Sequence, residues 1–459
     1  MKVFINLQGE CTMKSIKRIF ALLLALCMVL CLAACGGEEN KEGTEGTDYL
    51  ETASKKQVAL FGDLNGTKLR VAEEVDLDKW ESDFYKQLEE TTGMKVEMEP
   101  MSSAELGTKI AQAVASGDKR NYFDVGICAN SSLLNSIYGN LILPIDDYIY
   151  YDDPVWKYSE GAEFNCLDLY KLDGYMWGVP SHGYHENFIF YNKTFFEEMQ
   201  APDPYTEYYL KDNWTFETFL DTCEAVTKKA DDGTVEVAAW ATWNYFTFAA
   251  AAGNNMIEQD EDGEWQIVFD QPNGMAGLNV LYECAKNGWL NTKTSGYEDF
   301  VNRKIAMMIE KPSSAMGGPD AYNRMSDEIG VIPFPKMNKE QKDYICPMIV
   351  SGYTIAACTQ NPKGAASYLY YHRIAEQQRD KTEWGVENLK RFLDEEGQER
   401  RNEYIKKCQF AVPFIDGLNG WYGANRDTFL KIMWNGTNPA TAVDQMIPLV
   451  RENLRRTVG

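Results

Sequence analysis

Basic residues and histidine are scarce in this sequence. Lys and Arg together number 45 against 69 Asp and Glu, and only 3 His are present, so the formal net charge is −24. A surface this anionic repels nucleic acid and anionic lipid alike. The 11 Cys include no Cys-x-x-Cys and no Cys/His cluster, which excludes the common zinc motifs. The composition is therefore compatible with a neutral ligand.

Long hydrophobic runs are also missing, except for one near the N-terminus. The segment "MKSIKRIFALLLALCMVLCLAAC", residues 13–35, has a basic start and an apolar stretch from Ile19 to Leu32. This stretch is shorter than the ~20 apolar residues of a membrane-spanning helix, and it predicts a secretory signal peptide, residues 1–34, with Met13 as the true start. Its last four residues resemble the lipobox of bacterial lipoproteins, which implies that Cys35 is lipidated. A plain signal peptide with a cleavage site nearby is the alternative.

The segment 35–56 follows the signal with many Gly, Glu, Thr and Lys residues and few apolar ones. Such a segment cannot offset the entropy of ordering, so it is predicted to be a flexible tether after Cys35. The 459 residues less the 34 of the signal leave 425, enough for two domains of ordinary size. The remaining cysteines lie mostly in apolar stretches and are predicted to be free buried thiols. They are Cys128, Cys166, Cys223, Cys284, Cys346, Cys358 and Cys408.

After the tether, strand and helix patterns alternate. The segments "KLRVAEEV", "MKVEMEPM" and "YFDVGICAN" predict strands, and helical stretches separate them. Ser102 with Glu105 predicts a capping box for the second of these helices. This order predicts an α/β fold, a parallel sheet with helices on its faces. Further along, Thr215 and Asn438 are predicted to cap helices, and Pro448 is predicted to kink or interrupt the last helix.

The segment "DGYMWGVPSHGYHENFIFYNKTFFEEM", residues 173–199, resembles bacterial extracellular solute-binding proteins, the sugar-capturing subunits of ABC importers related to maltose-binding protein. Gly178-Val179-Pro180 and Tyr191-Asn192-Lys193 stand where that family leaves one lobe and enters the other. Further segments are similar to the family in the same order, from about residue 67 to the end, among them "FVNRKIAMMIEKPSSAM" and "IGVIPFPK". The stretch 375–410 departs from the family, because it is longer and more charged.

The resemblance implies a two-lobed periplasmic-binding-protein-like fold, each lobe a sheet flanked by helices, joined by a hinge that the chain crosses several times. We expect one lobe at about 57–184 plus 351–410 and the other at about 188–348 plus 411–459, with closure about Tyr184–Asn187 and Met348–Gly352.

A protein of this kind captures a carbohydrate, here expected to be an oligosaccharide, in an aromatic-lined cleft and delivers it to the transmembrane subunits of an ABC permease. The resemblance further implies a monomer that is not an enzyme and needs no cofactor. Its expected place is the extracellular face of the cell membrane, which it contacts only through its lipid anchor. No nucleic-acid partner is expected.

Four aromatic residues are candidates for stacking on sugar rings, whose C–H faces pack on aromatic side chains. The resemblance places Trp243 and Tyr245 in one segment, and Trp421 and Tyr422 in another, at positions that contact sugar in the family. Packing in the core is the alternative for both pairs.

Polar contacts with the ligand are expected from strand ends and from the hinge, because sugar hydroxyls need both donors and acceptors. The candidates are Tyr184, His185, Asn130, Ser131, Ser313 and Asp76. A turn role is the alternative for Asn130, and a helix cap for Asp76. Ser313 stands where maltose-binding protein has a stacking tryptophan, so this sequence lacks one platform and its ligand is expected to differ.

The residues alone leave three other functions to consider. A metal site at His182, His185 and Glu186 is disfavoured, because the order His-x-x-His-Glu is not the helical His-Glu-x-x-His, and Pro180 and Gly183 argue against a helix. A tethered glycoside hydrolase needs a pair of carboxylates, which 69 acidic residues leave open, but neither a barrel pattern nor a Gly-x-Ser-x-Gly elbow is present. A binder of a peptide or another small solute on the same fold is the third alternative, since a fold does not determine its ligand.

Overall fold

The computed structural model describes residues 53–73, 79–117, 122–158, 164–181, 186–241, 247–292, 296–310, 325–381, 392–418 and 424–459. All of these belong to one compact unit, Tyr49–Gly459. The predicted signal peptide, Cys35 and most of the predicted tether lie outside the described residues. In these ranges, no helix has both the length and the apolar character needed to cross a membrane.

The first of two six-stranded sheets contains the three strands predicted from the sequence. Its members are β1 (Lys68–Glu73), β2 (Lys95–Pro100), β3 (Val125–Ala129), β4 (Ile142–Leu143), β7 (Val179–Pro180) and β17 (Ser351–Ala356). Their order is β2-β1-β3-β17-β4, with β7 beside β17. β1 is parallel to β2 and β3, as predicted, whereas β17 enters antiparallel to β3 from far along the chain.

The helical stretches predicted between these strands are present, and one helix that was not predicted begins within the last residues of the predicted tether. These helices are α1 (Lys55–Phe61), α2 (Lys79–Thr92), α3 (Ser103–Ser116) and α4 (Leu133–Tyr138). The predicted capping box at α3 is confirmed, because the Glu105 N–H donates to Ser102 Oγ and the Ser102 N–H donates to Glu105 Oε2. Leu106, Ile110 and Ala113 of α3 are buried against the sheet.

The second sheet is built from later parts of the chain. Its members are β8 (Phe188–Asn192), β9 (Lys228–Lys229), β10 (Val235–Ala241), β13 (Leu290–Asn291), β14 (Ile305–Glu310) and β15 (Ile329–Ile332), in the order β13-β10-β14-β8-β15 with β9 beside β10. β8 is antiparallel to both of its neighbours. Three two-stranded pairs complete the strands: β5 (Lys171–Leu172) with β6 (Tyr175–Met176), β11 (Ile257–Gln259) with β12 (Trp265–Ile267), and β16 (Ile345–Pro347) with β18 (Gln409–Ala411).

Two of the later helices begin at predicted caps. In chain order the later helices are α5 (Lys193–Glu198), α6 (Pro204–Glu207), α7 (Phe216–Val226), α8 (Thr247–Ala251), α9 (Pro272–Asn287), α10 (Tyr297–Val301), α11 (Pro362–Lys381), α12 (Glu395–Lys407), α13 (Ala424–Asn435) and α14 (Pro439–Val458). Thr215 caps α7 and Asn438 caps α14, as predicted. The helix α14 runs past Pro448 without a break, so of the predicted kink or interruption the interruption is wrong. Pro448 lies on the exposed face, and the buried Met446 and Val450 hold the helix on both sides of it.

The chain passes between the two sheets at several places. β7 in the first sheet leads to β8 in the second, and β15 in the second sheet leads through β16 to β17 in the first. α11 packs on β17, whereas α12 packs on β15. β18 then follows α12 and pairs in parallel with β16, with Cys346 opposite Phe410. Since α11 packs on the first sheet and α12 on the second, the chain passes between the sheets once more within the charged stretch 375–410, where sequence patterns left the crossing unplaced.

All seven cysteines of the described ranges are free thiols, as predicted. Six are buried, and Cys408 is half-buried.

Candidate ligand site

The carboxyl ends of the strands define the candidate site on each sheet. In the first sheet β1 ends at Glu73 and β3 ends at Ala129, which pairs with Ser351 at the start of β17. In the second sheet β14 ends at Glu310, which pairs with Phe188 at the start of β8. Open α/β sheets bind their ligands outside the carboxyl ends of their strands. These edges are therefore the candidate ligand surfaces.

Most predicted site residues fall in chain segments next to these edges but outside the described residues. Asp76 follows β1, Trp243 and Tyr245 follow β10, Ser313 follows β14, and Tyr184 and His185 precede β8 in the sequence. Trp421 and Tyr422 likewise lie outside the described residues, between the turn at Phe414–Gly417 and α13. Their contact with a ligand stays a prediction.

Asn130, directly after β3, is fully buried and bonded to the connection between β16 and β17. Its Nδ2 donates to the Met348 carbonyl at 3.1 Å, and its Oδ1 accepts from the Val350 N–H at 3.0 Å. Its own N–H donates to the Val350 carbonyl at 2.9 Å. Both polar atoms of the amide thus bond within the protein. Asn130 holds the connection against the end of β3, and its predicted ligand contact is untested.

Ser131 is buried beside the turn Phe414–Gly417. A Cβ added to Gly417 would lie 2.5 Å from the Ser131 carbonyl oxygen, so the two backbones approach as closely as glycine allows. The turn therefore packs on the carboxyl end of β3. It leads in sequence directly towards Trp421 and Tyr422.

Tyr170 fastens the same edge from the side of β7. Its hydroxyl donates to the Cys128 carbonyl at 2.7 Å and lies 3.1 Å from the Val350 carbonyl. Burial raises the pKa of Tyr170 well above its ordinary value, so the group stays a neutral donor. A Cβ on Gly352 would lie 2.3 Å from the Tyr170 hydroxyl oxygen and 2.4 Å from the Val179 carbonyl oxygen. Only glycine fits at position 352.

Glu186, on the connection from β7 to β8, is fully buried in a network with two partners. Its Oε2 accepts from the Tyr158 hydroxyl at 2.8 Å, and its Oε1 accepts from the Arg401 guanidinium of α12. Arg401 is itself only 5% exposed. Breaking such a pair strands a buried charge, which costs about 3–5 kcal/mol. Glu186 thus anchors the connection to α12.

Glu73 is a second buried carboxylate, at the carboxyl end of β1. It is 4% exposed and accepts a hydrogen bond from the Tyr353 hydroxyl of β17. The Tyr353 ring lies 4.6 Å from the His372 ring of α11. The sequence did not predict roles for Glu73, Tyr353 and Arg401. Each of them bonds to a residue more than 200 positions away, and no local pattern indicates such a contact. The only available signal was the position of Glu73 at the end of an apolar strand.

The described residues offer little for nucleophilic or metal chemistry. Burial raises the pKa of Cys128 to about 11 and of Cys408 to about 12, which keeps both thiols protonated. No group of three or more His, Cys, Asp and Glu in the described ranges has the arrangement of a metal site. His182 and His185 lie outside those ranges.

The comparison with protein families settles the class. A model described as bacterial extracellular solute-binding protein matches residues 72–371 of this chain. The chain belongs to this family. The resemblance drawn from the sequence is thereby confirmed. Among curated proteins, no sequence match was found.

Solved structures of solute-binding proteins share its fold. The ABC substrate-binding protein Lmo0181 from Listeria monocytogenes, in complex with cycloalternan, has a TM-score of 0.62 at 15% identity and covers 84% of this chain and 99% of its own. A cyclo/maltodextrin-binding protein complexed with maltotetraose has 0.60 at 18% identity, covering 84% and 97%. UgpB from Mycobacterium tuberculosis, in complex with glycerophosphocholine, has 0.62 at 12% identity, covering 86% and 100%. At these identities the likeness shows the fold, and the predicted two-lobed α/β fold is confirmed.

Proposed function

We propose that this solute-binding protein is the lipid-anchored extracellular receptor of an ABC importer and that it captures an oligosaccharide between its two lobes. The observation that carries the proposal is the pair of sheets, each presenting carboxyl ends that lead into aromatic or polar candidate residues. Two neighbours of the same fold have oligosaccharides bound, cycloalternan and maltotetraose. The candidate stacking residues Trp243, Tyr245, Trp421 and Tyr422 supply the apolar faces that sugar rings need.

The lobes that would enclose the sugar follow the two sheets. We assign 57–184 and the part of 351–410 that packs on the first sheet to one lobe, and 188–348 with 411–459 to the other. Contacts of α12 with β15 support moving 392–407 to the second lobe. The bond from the Tyr404 hydroxyl to the Val331 carbonyl, at 3.2 Å, supports the same assignment.

The lipid anchor rests on the sequence around Cys35. We infer that the signal is cleaved before this residue and that the segment between Cys35 and α1 spans the distance to the membrane. Mass spectrometry of protein extracted from membranes tests this: the N-terminal peptide should begin at Cys35 and carry the mass of the lipid. An unmodified Cys35, or a mature terminus elsewhere, contradicts the anchor without affecting the sugar proposal.

The ligand proposal is tested by a thermal-shift screen of the mature protein against mono- and oligosaccharides. A ligand at 100 times its dissociation constant stabilises the protein by ~2.7 kcal/mol, so a true ligand raises the melting temperature clearly. Chromatography of the same mixtures measures turnover. A shift with one glycan and an unchanged glycan afterwards supports a receptor, whereas released products identify a hydrolase.

A non-sugar solute is the second candidate, and one observation favours it. UgpB, which has the same fold, has glycerophosphocholine bound. Glycerophosphocholine and short peptides therefore form separate arms of the screen. A shift in one of these arms with none among the glycans replaces the oligosaccharide proposal.

A further inference from the structure

A path of four buried side chains leads from helix α11 on the first sheet to helix α12 on the second. The four residues are Arg373, Tyr158, Glu186 and Arg401, and each is at most 6% exposed. Arg373 belongs to α11, which packs on β17, and Arg401 belongs to α12, which packs on β15. The path therefore starts at one sheet and ends at the other.

Hydrogen bonds join the four residues in order. Arg373 Nη2 donates to the Tyr158 carbonyl at 3.2 Å, and the Tyr158 hydroxyl donates to Glu186 Oε2 at 2.8 Å. Glu186 Oε1 accepts from the Arg401 guanidinium. Because Glu186 lies on the connection from β7 to β8, its carboxylate receives a donor from each side of the boundary between the lobes.

Tyr158 is held on the side of the first sheet. Its ring stacks on the Phe164 ring at 4.9 Å, and its N–H donates to the Phe164 carbonyl at 3.4 Å. Gln377, one turn after Arg373 in α11, donates to the carbonyls of Val155 at 2.8 Å and of Lys157 at 3.3 Å. The segment that carries Tyr158 is thus fastened to α11.

The helix α12 is held in the same way on the second sheet. The Tyr404 hydroxyl donates to the Val331 carbonyl of β15 at 3.2 Å, and the Tyr404 ring lies 5.7 Å from the Phe188 ring of β8. The Arg400 guanidinium lies 3.6 Å from the centre of the Tyr205 ring. Both ends of the path are therefore rigid elements of their own sheets.

We propose that this path, called the brace below, limits how far the two lobes open when no solute is bound. A small rotation about Glu186 keeps both bonds to its carboxylate, whereas a wide opening must break one of them. A buried carboxylate that loses a donor is left with an uncompensated charge, so wide opening is opposed. The brace acts in the ligand-free protein, so it does not depend on which solute is captured.

The brace also assigns a role to the charged stretch 375–410. This stretch departs from the family in length and charge, and it contains α12 with Arg401. The proposed role is to bring one guanidinium from the edge of the second sheet to the connection at Glu186.

Two variants test the brace by interrupting it on either side of Glu186. Arg401→Met removes the charge and keeps an apolar side chain of similar length, whereas Tyr158→Phe keeps the ring on Phe164 and removes only the hydroxyl. The mature proteins are unfolded in urea, dialysed to remove bound solute and refolded, and circular dichroism establishes the native fold. Small-angle scattering should then show a larger radius of gyration and a larger maximum dimension for both variants than for the wild type.

Hydrogen exchange measured by mass spectrometry locates the effect. In Arg401→Met, the amides of residues 186–192 should exchange roughly 10- to 150-fold faster, because the lost bond joined two charged groups. In Tyr158→Phe the same amides should keep the wild-type rate, since Arg401 still holds the carboxylate. Wider opening without local loosening is an effect that a purely structural role of Glu186 in the second lobe does not produce.

Arg456→Met is the matched control, because this arginine of α14 has a side chain that is 62% exposed. It should change neither the scattering nor the exchange. Natively folded variants whose scattering equals that of the wild type overturn the brace. Wider opening of Arg401→Met with an unchanged Tyr158→Phe overturns it as well, because the path then does not reach the first sheet. If Arg401→Met does not fold, the scattering of Tyr158→Phe decides by itself.

Discussion

Single buried polar residues hold the inter-sheet connections of this protein. Asn130 bonds the segment Met348–Val350, and Glu186 bonds Arg401 across 215 residues of chain. A buried donor or acceptor left without its partner costs about 1–3 kcal/mol. Substitution of these residues is therefore expected to lower folding stability first, and to affect ligand affinity only through the position of the connections.

Asn130→Ala separates the structural role of this residue from its predicted ligand contact. The change leaves the Met348 carbonyl and the Val350 N–H without their amide partner, so we expect a loss of about 2–4 kcal/mol in the free energy of unfolding, measured with urea on the apo protein. Asn135→Ala, an exposed change in α4, is the control and should stay within about 0.5 kcal/mol. A normal unfolding curve with weakened ligand binding would instead assign Asn130 to the ligand.

Trp243→Ala and Trp421→Ala test the proposed stacking platforms. Stacking of a base on an aromatic ring, a comparable geometry, is worth ~1–3 kcal/mol, so the affinity for the sugar should fall roughly 5- to 150-fold. The melting temperature of the apo protein should change little. Calorimetry and melting of the same variants distinguish a stacking residue from a core residue. Replacing a core tryptophan by alanine costs about 3–5 kcal/mol of stability, and binding then stays normal.

At the scale of the elements, the sequence predicts those features that depend on a few neighbouring residues. The strand patterns of β1, β2 and β3 and the caps at Ser102, Thr215 and Asn438 were all predictable, because each rests on a few adjacent residues. Along the candidate site, the positions of residues after strand ends followed from the same patterns. The contacts that those residues make could not be predicted from these patterns.

The pairing of strands that are far apart in the chain could not be predicted from local sequence patterns. β17 inserts beside β3 by pairing Ser351 with Ala129, and nothing near either residue encodes that register. The sequence of α12 is typical of a charged, solvent-exposed helix, yet this helix packs through Tyr404, Ile405 and Arg401. The buried guanidinium of Arg401 is paired with the carboxylate of Glu186. Of the kink or interruption predicted at Pro448, the interruption is wrong, because packing on both sides outweighs a lost hydrogen bond.

An ion pair that joins three elements of the second sheet gives a pH-dependent prediction. The Arg303 guanidinium donates two hydrogen bonds to the Asp327 carboxylate, at 2.5 and 2.6 Å. Asn192, the cap of α5, donates to the same carboxylate at 2.6 Å. The bond from Arg303, followed by that from Asn192, outweighs burial and lowers the pKa of Asp327. A lowered folded-state pKa means that this carboxylate stabilises the fold above its unfolded value, ~3.9, and loses the effect as the pH falls through the folded value.

Asp327→Asn should therefore cost about 1.5–3 kcal/mol at pH 7 and flatten the fall of stability below about pH 4. Urea unfolding at a series of pH values measures both effects. Glu328→Gln is the matched control, because Glu328 is 71% exposed and 3.5 Å from its partner Lys193. An equal loss at pH 7 and at pH 2 would mean that the carboxylate acts through shape and not through charge.

At the scale of the whole molecule, the regions of the two sheets touch away from the connections as well. The β11–β12 hairpin meets the β5–β6 hairpin, where Gln259 Nε2 donates to Asp173 Oδ1 at 2.5 Å. Trp265 Nε1 donates to the Tyr138 hydroxyl at 3.0 Å, and this hydroxyl donates to Asp173 at 3.1 Å. Each such bond contributes only about 0.5–1.5 kcal/mol net. A rotation of one lobe against the other can break them at a cost within the range of ligand binding energies.

Ligand binding is accordingly predicted to close the lobes about the connections at Tyr184–Asn187 and Met348–Gly352. A sugar that touches both lobes binds the closed state more tightly, and only such a difference in affinity shifts the population. Small-angle scattering should show a smaller radius of gyration at saturation with the glycan found in the screen. A glycan that gives no thermal shift, and Trp243→Ala at the same glycan concentration, are controls that should keep the larger radius. Identical profiles with and without ligand, when calorimetry shows the site to be full, would contradict closure and leave a rigid receptor.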